Sequence, residues 1–291
     1  MTMQMRFPLD KKGNPTSHFI IASAGRRLAL GKDGDAHVIQ SIISKWHDFS
    51  FRLAEFSKEL EVFESLGALY KGEIAKHFKD VNYSATELFD VYSIMIPSRL
   101  NNCVPKSILR DYRETSKSRR DLAAKICNAS KHGATELQKI WVASHHTSTA
   151  GSRIRLCKYV DGEALDFHPD VHDKKTDSFG IVRFAQELVH NLLRLDLLAA
   201  NLIKKLPDQE CVPVKEVTVS LEIGESIRRL EKLIVTHIAG QTPFYDGFKT
   251  ENESIILKRS KSQQIIEPTR WRLSLRYQAG TDSYQIFQPN G

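Results

Sequence analysis

From Asp35 onward the chain sets Ile39, Ile42, Ile43, Trp46, Phe49, Leu53, Phe56, Leu60 and Phe63 three, four or seven positions apart. A period of 3.6 collects these side chains on one stripe, so the segment predicts an amphipathic helix of about eight turns. Such a helix must bury one face along its whole length, and its neighbours have to supply the matching surface. That requirement makes the first half of the chain a bundle. Asp35 suits the N-cap, because its carboxylate can accept from the free N–H groups of the first turn.

The flanking segments are expected to provide the partners. "SHFIIAS" and "RRLALG", parted by Ala24 and Gly25, read as a short β element ahead of the turn "GKDGD". After Gly67 and Gly72 shorter helices are expected. Ser84 to Glu87 has the form of a capping box, and the helix it opens runs to Pro97. Pro105 can open the next helix, and Ser118 to Asp121 resembles a further start, with a stop near Gly133. "ATELQKIWVASHH" is expected as one more short helix.

The composition then changes. "RIRLCKYV" and "EALDFH" flank Asp161-Gly162, a hairpin turn signal. From Asp177 to Pro207 a helix is expected with Ile181, Phe184, Leu188, Leu192, Leu195, Leu198, Leu202 and Leu206 spread around much of its circumference, which implies burial. "VKEVTVSLEI" reads as a strand and "ESIRRLEKLIVTHIA" as a helix. "SIILKRS", "RWRLSLRYQ" and "SYQIF" read as strands of a small antiparallel sheet, with a frayed tail from Pro289. The expected fold is α+β and predominantly α: a helical-bundle region at 1–150, then a mixed region at 151–291 with a long buried helix and that sheet.

Charge is distributed unevenly. Residues 99–158 hold 13 basic and 4 acidic side chains, more than the whole +7 excess of the chain, whereas residues 159–248 hold 10 and 15. Two readings fit: a surface for a polyanion, or a solvated face balanced in three dimensions by the acidic segment. The N-terminal residues lack a run long enough for a signal peptide, and no later run approaches a membrane span, so a cytoplasmic protein without a membrane partner is expected. Cys103, Cys127, Cys157 and Cys211 have no zinc-like pairing and are expected as small buried thiols.

Within the basic block, "DLAAKICNASKHG" puts Asp121, Lys125, Asn128 and His132 on one helical face, beside Leu122, Ile126 and Ala129. Asn and His late in a helix can hydrogen-bond across an interface, or His132 can sit as a cation at the C-terminus. The Asn128-Ala129-Ser130-Lys131-His132 stretch also resembles the motif-bearing helix of HEPN-superfamily domains over roughly residues 35–146. The resemblance implies a small helical bundle, often a homodimer, and in many members a metal-independent ribonuclease of bacterial toxin and defence systems. The usual signature is Arg, four to six residues, then His. Here Lys125 stands where the arginine would, and Lys lacks the planar fork that holds a phosphate in two places.

The resemblance implies RNA cleavage through the ribose 2′-hydroxyl with no cofactor and no metal. His132 would move protons, Lys125 would stabilise the phosphate charge and Asn128 would orient its neighbours. Arg113, Lys117, Arg119, Arg120 and Lys131 are the candidates for tracking a nucleic-acid backbone. A non-catalytic module that binds a protein partner accounts for the same composition.

A third class, a metal- or small-ligand-dependent enzyme, would draw on His168, Asp170, His172 and Asp173, although Pro169 disfavours the regular helix that would converge the two histidines. His145 and His146 are adjacent and point apart. Near the C-terminus, Lys258, Arg259, Lys261, Arg270, Trp271, Arg272, Arg276 and Tyr277 form a basic and aromatic group. On a strand, Arg270, Arg272 and Arg276 would share a face that either meets solvent or binds phosphate. Phosphate-loop, dinucleotide, nucleophile-elbow and His-Glu-x-x-His signatures do not occur in the sequence.

Overall fold

The periodic segment forms one continuous helix, α2 (Asp35–Leu66), and its stripe is the spine of the core. Val38, Ile42, Trp46, Phe49, Leu53, Phe56, Leu60 and Phe63 are buried, while Ile39 and Ile43 lie at the margin. This computed structural model describes residues 5–24, 35–132, 135–144, 151–160, 163–172, 179–206, 219–233, 248–251, 254–257, 271–279 and 282–289. They are mostly helical, with short strands completing an α+β fold. Among them no helix is long and apolar enough to cross a membrane.

A 3-10 turn at Gly67–Leu69 leads from α2 to α3 (Ile74–Asp90), which packs back along it. The corner is pinned by Glu59, which accepts from the Tyr70 hydroxyl and, at 3.2 Å, from the Glu73 N–H. Phe56 and Phe78 meet edge to face across the pair, 6.1 Å between ring centroids. The expected helix start at Ser84 is a mid-helix position instead. Ile74, Phe78, Val81, Ala85 and Leu88 carry the apolar period straight through it, and the Ser84 hydroxyl donates back to the Val81 carbonyl at 3.1 Å.

A π-helical turn at Val91–Met95 follows, then α4 (Ile96–Arg99), with Pro97 in its first turn. The proline N atom has no proton to give, and a position at a new helix start is where that loss is tolerated. Pro105 precedes α5 (Lys106–His132) as expected, but the second start at Ser118 is absent: the helix is unbroken, and the Ser118 hydroxyl donates to the Thr115 carbonyl at 3.0 Å.

Two element types differ from the sequence reading. His18–Ala24 is a helix, α1, because its first turn is capped twice. The Ser17 hydroxyl accepts from the Ile20 N–H at 3.2 Å. Asp196, on helix α7 (Ile181–Lys204), accepts from the N–H groups of His18 at 2.6 Å and Phe19 at 3.2 Å. "TELQKIWVAS" is a strand, β2 (Thr135–Ser144), and not a helix. It pairs antiparallel with β3 (Gly151–Val160) and parallel with β9 (Asp282–Pro289).

The larger sheet runs β4 (Glu163–Phe167), β3, β2, β9, β8 (Trp271–Ala279), with β5 (Phe179–Gly180) on β3. A three-stranded antiparallel sheet joins β1 (Met5–Pro8), β7 (Ser254–Leu257) and β6 (Phe248–Glu251). The expected C-terminal strands are thus divided between two sheets, and Pro289 ends β9 opposite Trp271 where a frayed tail was expected. "RRLALG", residues 31–34 of "GKDGD", Asp161-Gly162, Gly133, Asp177, Cys211, His145 and His146 lie outside the described residues, as do the first half of "VKEVTVSLEI" and the end of "ESIRRLEKLIVTHIA"; the second half of "VKEVTVSLEI" makes a single bridge, Ser220 to Thr16, where a strand was expected.

Helix α7 is the long buried helix expected, with 17 of its 24 residues buried. It reaches α1, α3 and α5, so elements on both sides of residue 150 share one core. At its centre the fully buried Asp196 also accepts from the Ser17 hydroxyl at 2.5 Å and from the Tyr92 hydroxyl at 2.7 Å. Tyr92 in turn accepts from the Trp46 indole N–H at 2.9 Å, and its carbonyl accepts from the Tyr112 hydroxyl at 2.9 Å. Burial pushes the Asp196 carboxyl above its usual range, and the four donors pull it back.

Helix α8 (Gly224–Lys232) starts hard against the loop before α1. A Cβ on Gly224 would lie 2.0 Å from the Gly13 carbonyl oxygen, and the Gly224 N–H donates to Asn14 Oδ1 at 3.0 Å.

Candidate nucleic-acid interface

Helix α5 carries most of the basic block, and its buried side settles which residues face outward. Leu109, Tyr112, Ser116, Ala123, Ala124, Ile126, Cys127 and Ala129 are buried. The opposite side presents Lys106, Arg110, Arg113, Glu114, Lys117, Lys125, Asn128 and Lys131 to solvent, with Asp121 half-buried among them. At 1.5 Å per residue, the row from Lys106 to Lys131 extends about 38 Å. Six cations stand along it against Glu114, Asp121 and, at its flank, Asp111. Arg110 lies 3.9 Å from Asp111 and 4.0 Å from Glu114, so it is partly neutralised.

Of the five residues proposed to track a backbone, Arg113, Lys117 and Lys131 lie on that face and Arg119 and Arg120 do not. Lys117 and Lys131 are exposed, and the Lys131 ammonium lies 5.4 Å from the centre of the Tyr83 ring. Arg113 is exposed and donates to the Pro97 carbonyl at 3.4 Å. Arg120 turns to α3 and donates to Asp90 at 2.5 Å. Arg119 points the other way, into the α5–α7 contact, where it donates to Asn191 Oδ1 at 2.9 Å. Both turned arginines are half-buried and serve packing between helices.

Lys125 and Asn128 are exposed on the outward row, and His132 is the last residue of α5, its side chain outside the description. Helical rise alone sets Lys125 and His132 about 10 Å apart along the axis, with Asn128 between. One phosphate can meet both only if the flexible lysine stem folds toward the helix end. The C-terminal carbonyls of α5 add partial negative charge there, which Lys125 and Lys131 have to outweigh to hold an anion.

Sequence reasoning missed the polar stripe of α7. Arg183, Glu187, His190, Asn191 and Arg194 recur every three or four residues on a helix otherwise rich in leucine, a signal readable from spacing. Burial, with the nearby Arg119 and Arg194 charges, lowers the His190 pKa to about 3, so this imidazole is neutral in the folded protein. Six residues separate Arg183 from His190, the spacing of the arginine-to-histidine signature. Both are buried, and Arg183 lies 3.5 Å from Glu187, so the pair offers no face to a polymer.

The histidine-rich middle does not gather a metal-ligand set. His172 on α6 (Pro169–His172) is buried and its Nε2 accepts from the Leu156 N–H at 3.0 Å, which occupies that lone pair. Asp170 is exposed, His168 is half-buried, and Asp173 lies outside the described residues. Among the described residues no three His, Cys, Asp or Glu side chains converge. Of the cysteines, Cys127 and Cys157 are buried thiols and Cys103 is half-buried. Of the C-terminal group, Trp271, Arg272, Arg276 and Tyr277 lie on β8, with side chains outside the description, while Lys258, Arg259, Lys261 and Arg270 lie outside the described residues.

No family model, no curated protein and no solved structure matches the chain.

Proposed function

We propose that this is a nucleic-acid-associated protein that takes a phosphate backbone along the outward face of α5. The observation that carries this reading is the row Lys106, Arg113, Lys117, Lys125 and Lys131, five exposed cations on one side of one helix. Cations in a line suit a polymer of regularly spaced charge better than a small anion, which needs donors converging on one point. In the same reading the "NASKH" end is a reduced ribonuclease site of the HEPN-like kind, of use in a bacterial defence or toxin setting. His132 removes the proton from a ribose 2′-hydroxyl, the oxygen attacks the adjacent phosphorus, and the 5′-oxygen leaves with a proton to give a 2′,3′-cyclic phosphate. Lys125 steadies the phosphate charge, and Asn128 orients the groups beside it.

The test separates binding from cleavage. Binding of a labelled RNA is measured against salt for wild type and for the triple variant Lys117→Gln, Lys125→Gln, Lys131→Gln. Loss of three phosphate contacts lowers the slope of log K against log salt by about 2–3. Arg119→Ala should leave that slope unchanged. Wild type should cleave RNA in EDTA and His132→Ala should not. Equal salt slopes for wild type and triple variant refute the interface. Intact RNA with wild type retains the interface and removes the ribonuclease.

A further inference from the structure

Tyr70, Tyr92 and Tyr112 are buried, whereas Tyr83 of α3 is half-buried beside the last turns of α5. Cys127, Ser130 and Lys131 of α5 bear on its hydroxyl, and the Lys131 ammonium stands 5.4 Å from the centre of its ring. Lys131 is exposed, so it meets that ring face from the solvent side. The face is therefore within reach of any flat group that takes the place of the ammonium. Its buried side anchors the ring between two helices, so a stacking partner costs it little side-chain freedom.

The cations of α5 lead to this ring. At about 100° per residue, Lys106, Arg113, Lys117 and Lys131 project within about 40° of one another. Arg120 projects within about 20° of Lys131 and reaches Asp90 of α3, so the line of cations runs along the α3 edge of α5, with Tyr83 at its end. Resting on the reading of α5 as a nucleic-acid interface, we propose that Tyr83 stacks one base of the bound strand while Lys131 moves from the ring onto that nucleotide's phosphate. An ammonium over a partly exposed ring contributes less than a stacked base, and the displaced lysine gains a phosphate, so the exchange is favourable. A base inside a duplex has both faces covered by its neighbours. The strand taken at this end of α5 is therefore single, and Tyr83 is the residue that selects it.

The test is binding of labelled probes to the full chain: a short oligouridylate, the same ribose-phosphate chain without bases, and the oligouridylate paired with oligoadenylate. Wild type should bind the oligouridylate about 5- to 100-fold more tightly than the baseless chain, the worth of one stacked base. Tyr83→Leu should bind those two alike, and Tyr83→Trp should keep the preference. Both variants should bind the duplex as wild type does, which a misfolded chain would not do. Equal affinity of wild type for oligouridylate and baseless chain, with the salt slope of α5 intact, overturns the inference and leaves the interface standing. A preference that survives Tyr83→Leu overturns it as well. Absence of salt-dependent binding to every probe removes the interface and this inference together.

Discussion

Replacing Asp196 by Ala should be the most damaging single-atom-group deletion in the core. The carboxylate has zero exposure and accepts four hydrogen bonds, from the Ser17 and Tyr92 hydroxyls and from the N–H groups of His18 and Phe19. The Ser17 hydroxyl can still accept from Ile20, but the two backbone donors at the start of α1 lose their acceptor, the Phe19 N–H in a buried place and the His18 N–H in a part-buried one. Each stranded buried donor costs about 1–3 kcal/mol. Adding the lost contact of Tyr92 gives about 4 kcal/mol. In urea, with an m-value of about 3 kcal/mol/M, the midpoint should fall by roughly 1.3 M. Tyr92→Phe strands the Trp46 indole N–H and should cost about 1–3 kcal/mol. Because the two side chains touch, the double variant should be less destabilised than the sum of the singles, by about 0.5–3 kcal/mol. A loss below about 1 kcal/mol for Asp196→Ala, within the range of a typical substitution, would refute the claim that this carboxylate caps α1.

Two further perturbations test separate parts of the structure. His190 stays neutral when folded, with its pKa lowered to about 3 from 6.5, so the unfolded chain binds the extra proton between those values. Stability should therefore be full above about pH 6.5 and decline as pH falls toward 3; urea midpoints against pH should show a smaller decline in His190→Gln. Gly224→Ala drives a Cβ to 2.0 Å from a backbone oxygen and should cost about 1–3 kcal/mol by thermal melting, while Gly72→Ala, whose nearest contacts are side-chain atoms of Glu59 and Tyr70, should cost less.

The long helices were legible because their own residues carry the signal. In α2 and α7 the apolar period persists through many turns, and Pro105 marks the start of α5. The misread elements owe their form to distant residues. Phe19, Ile20 and Ile21 make a short apolar run that fits a strand until Asp196, 177 positions from Phe19, caps its first turn. β2 is held by β3 and by β9, and its Ile140-Trp141-Val142 run was the local hint of a strand. At the candidate interface, the shared outward face of Lys125 and Asn128 followed from helical spacing, whereas Lys106 and Arg110 were not singled out. The inward turn of Arg119 and Arg120 depended on where Asn191 and Asp90 fall in three dimensions.

The pairing of β2 with β9 and of β1 with β7 has a consequence during synthesis. β1 waits for residues 254–257, and β2 waits for residues 282–289, each long after the waiting strand has been made. Until then each presents an unpaired edge of the kind that recruits strands from other molecules. The helical bundle can assemble as its parts appear, but the sheets that border it close only after β7 and β9 have been made, so the interval between those events is when this chain is most exposed to aggregation.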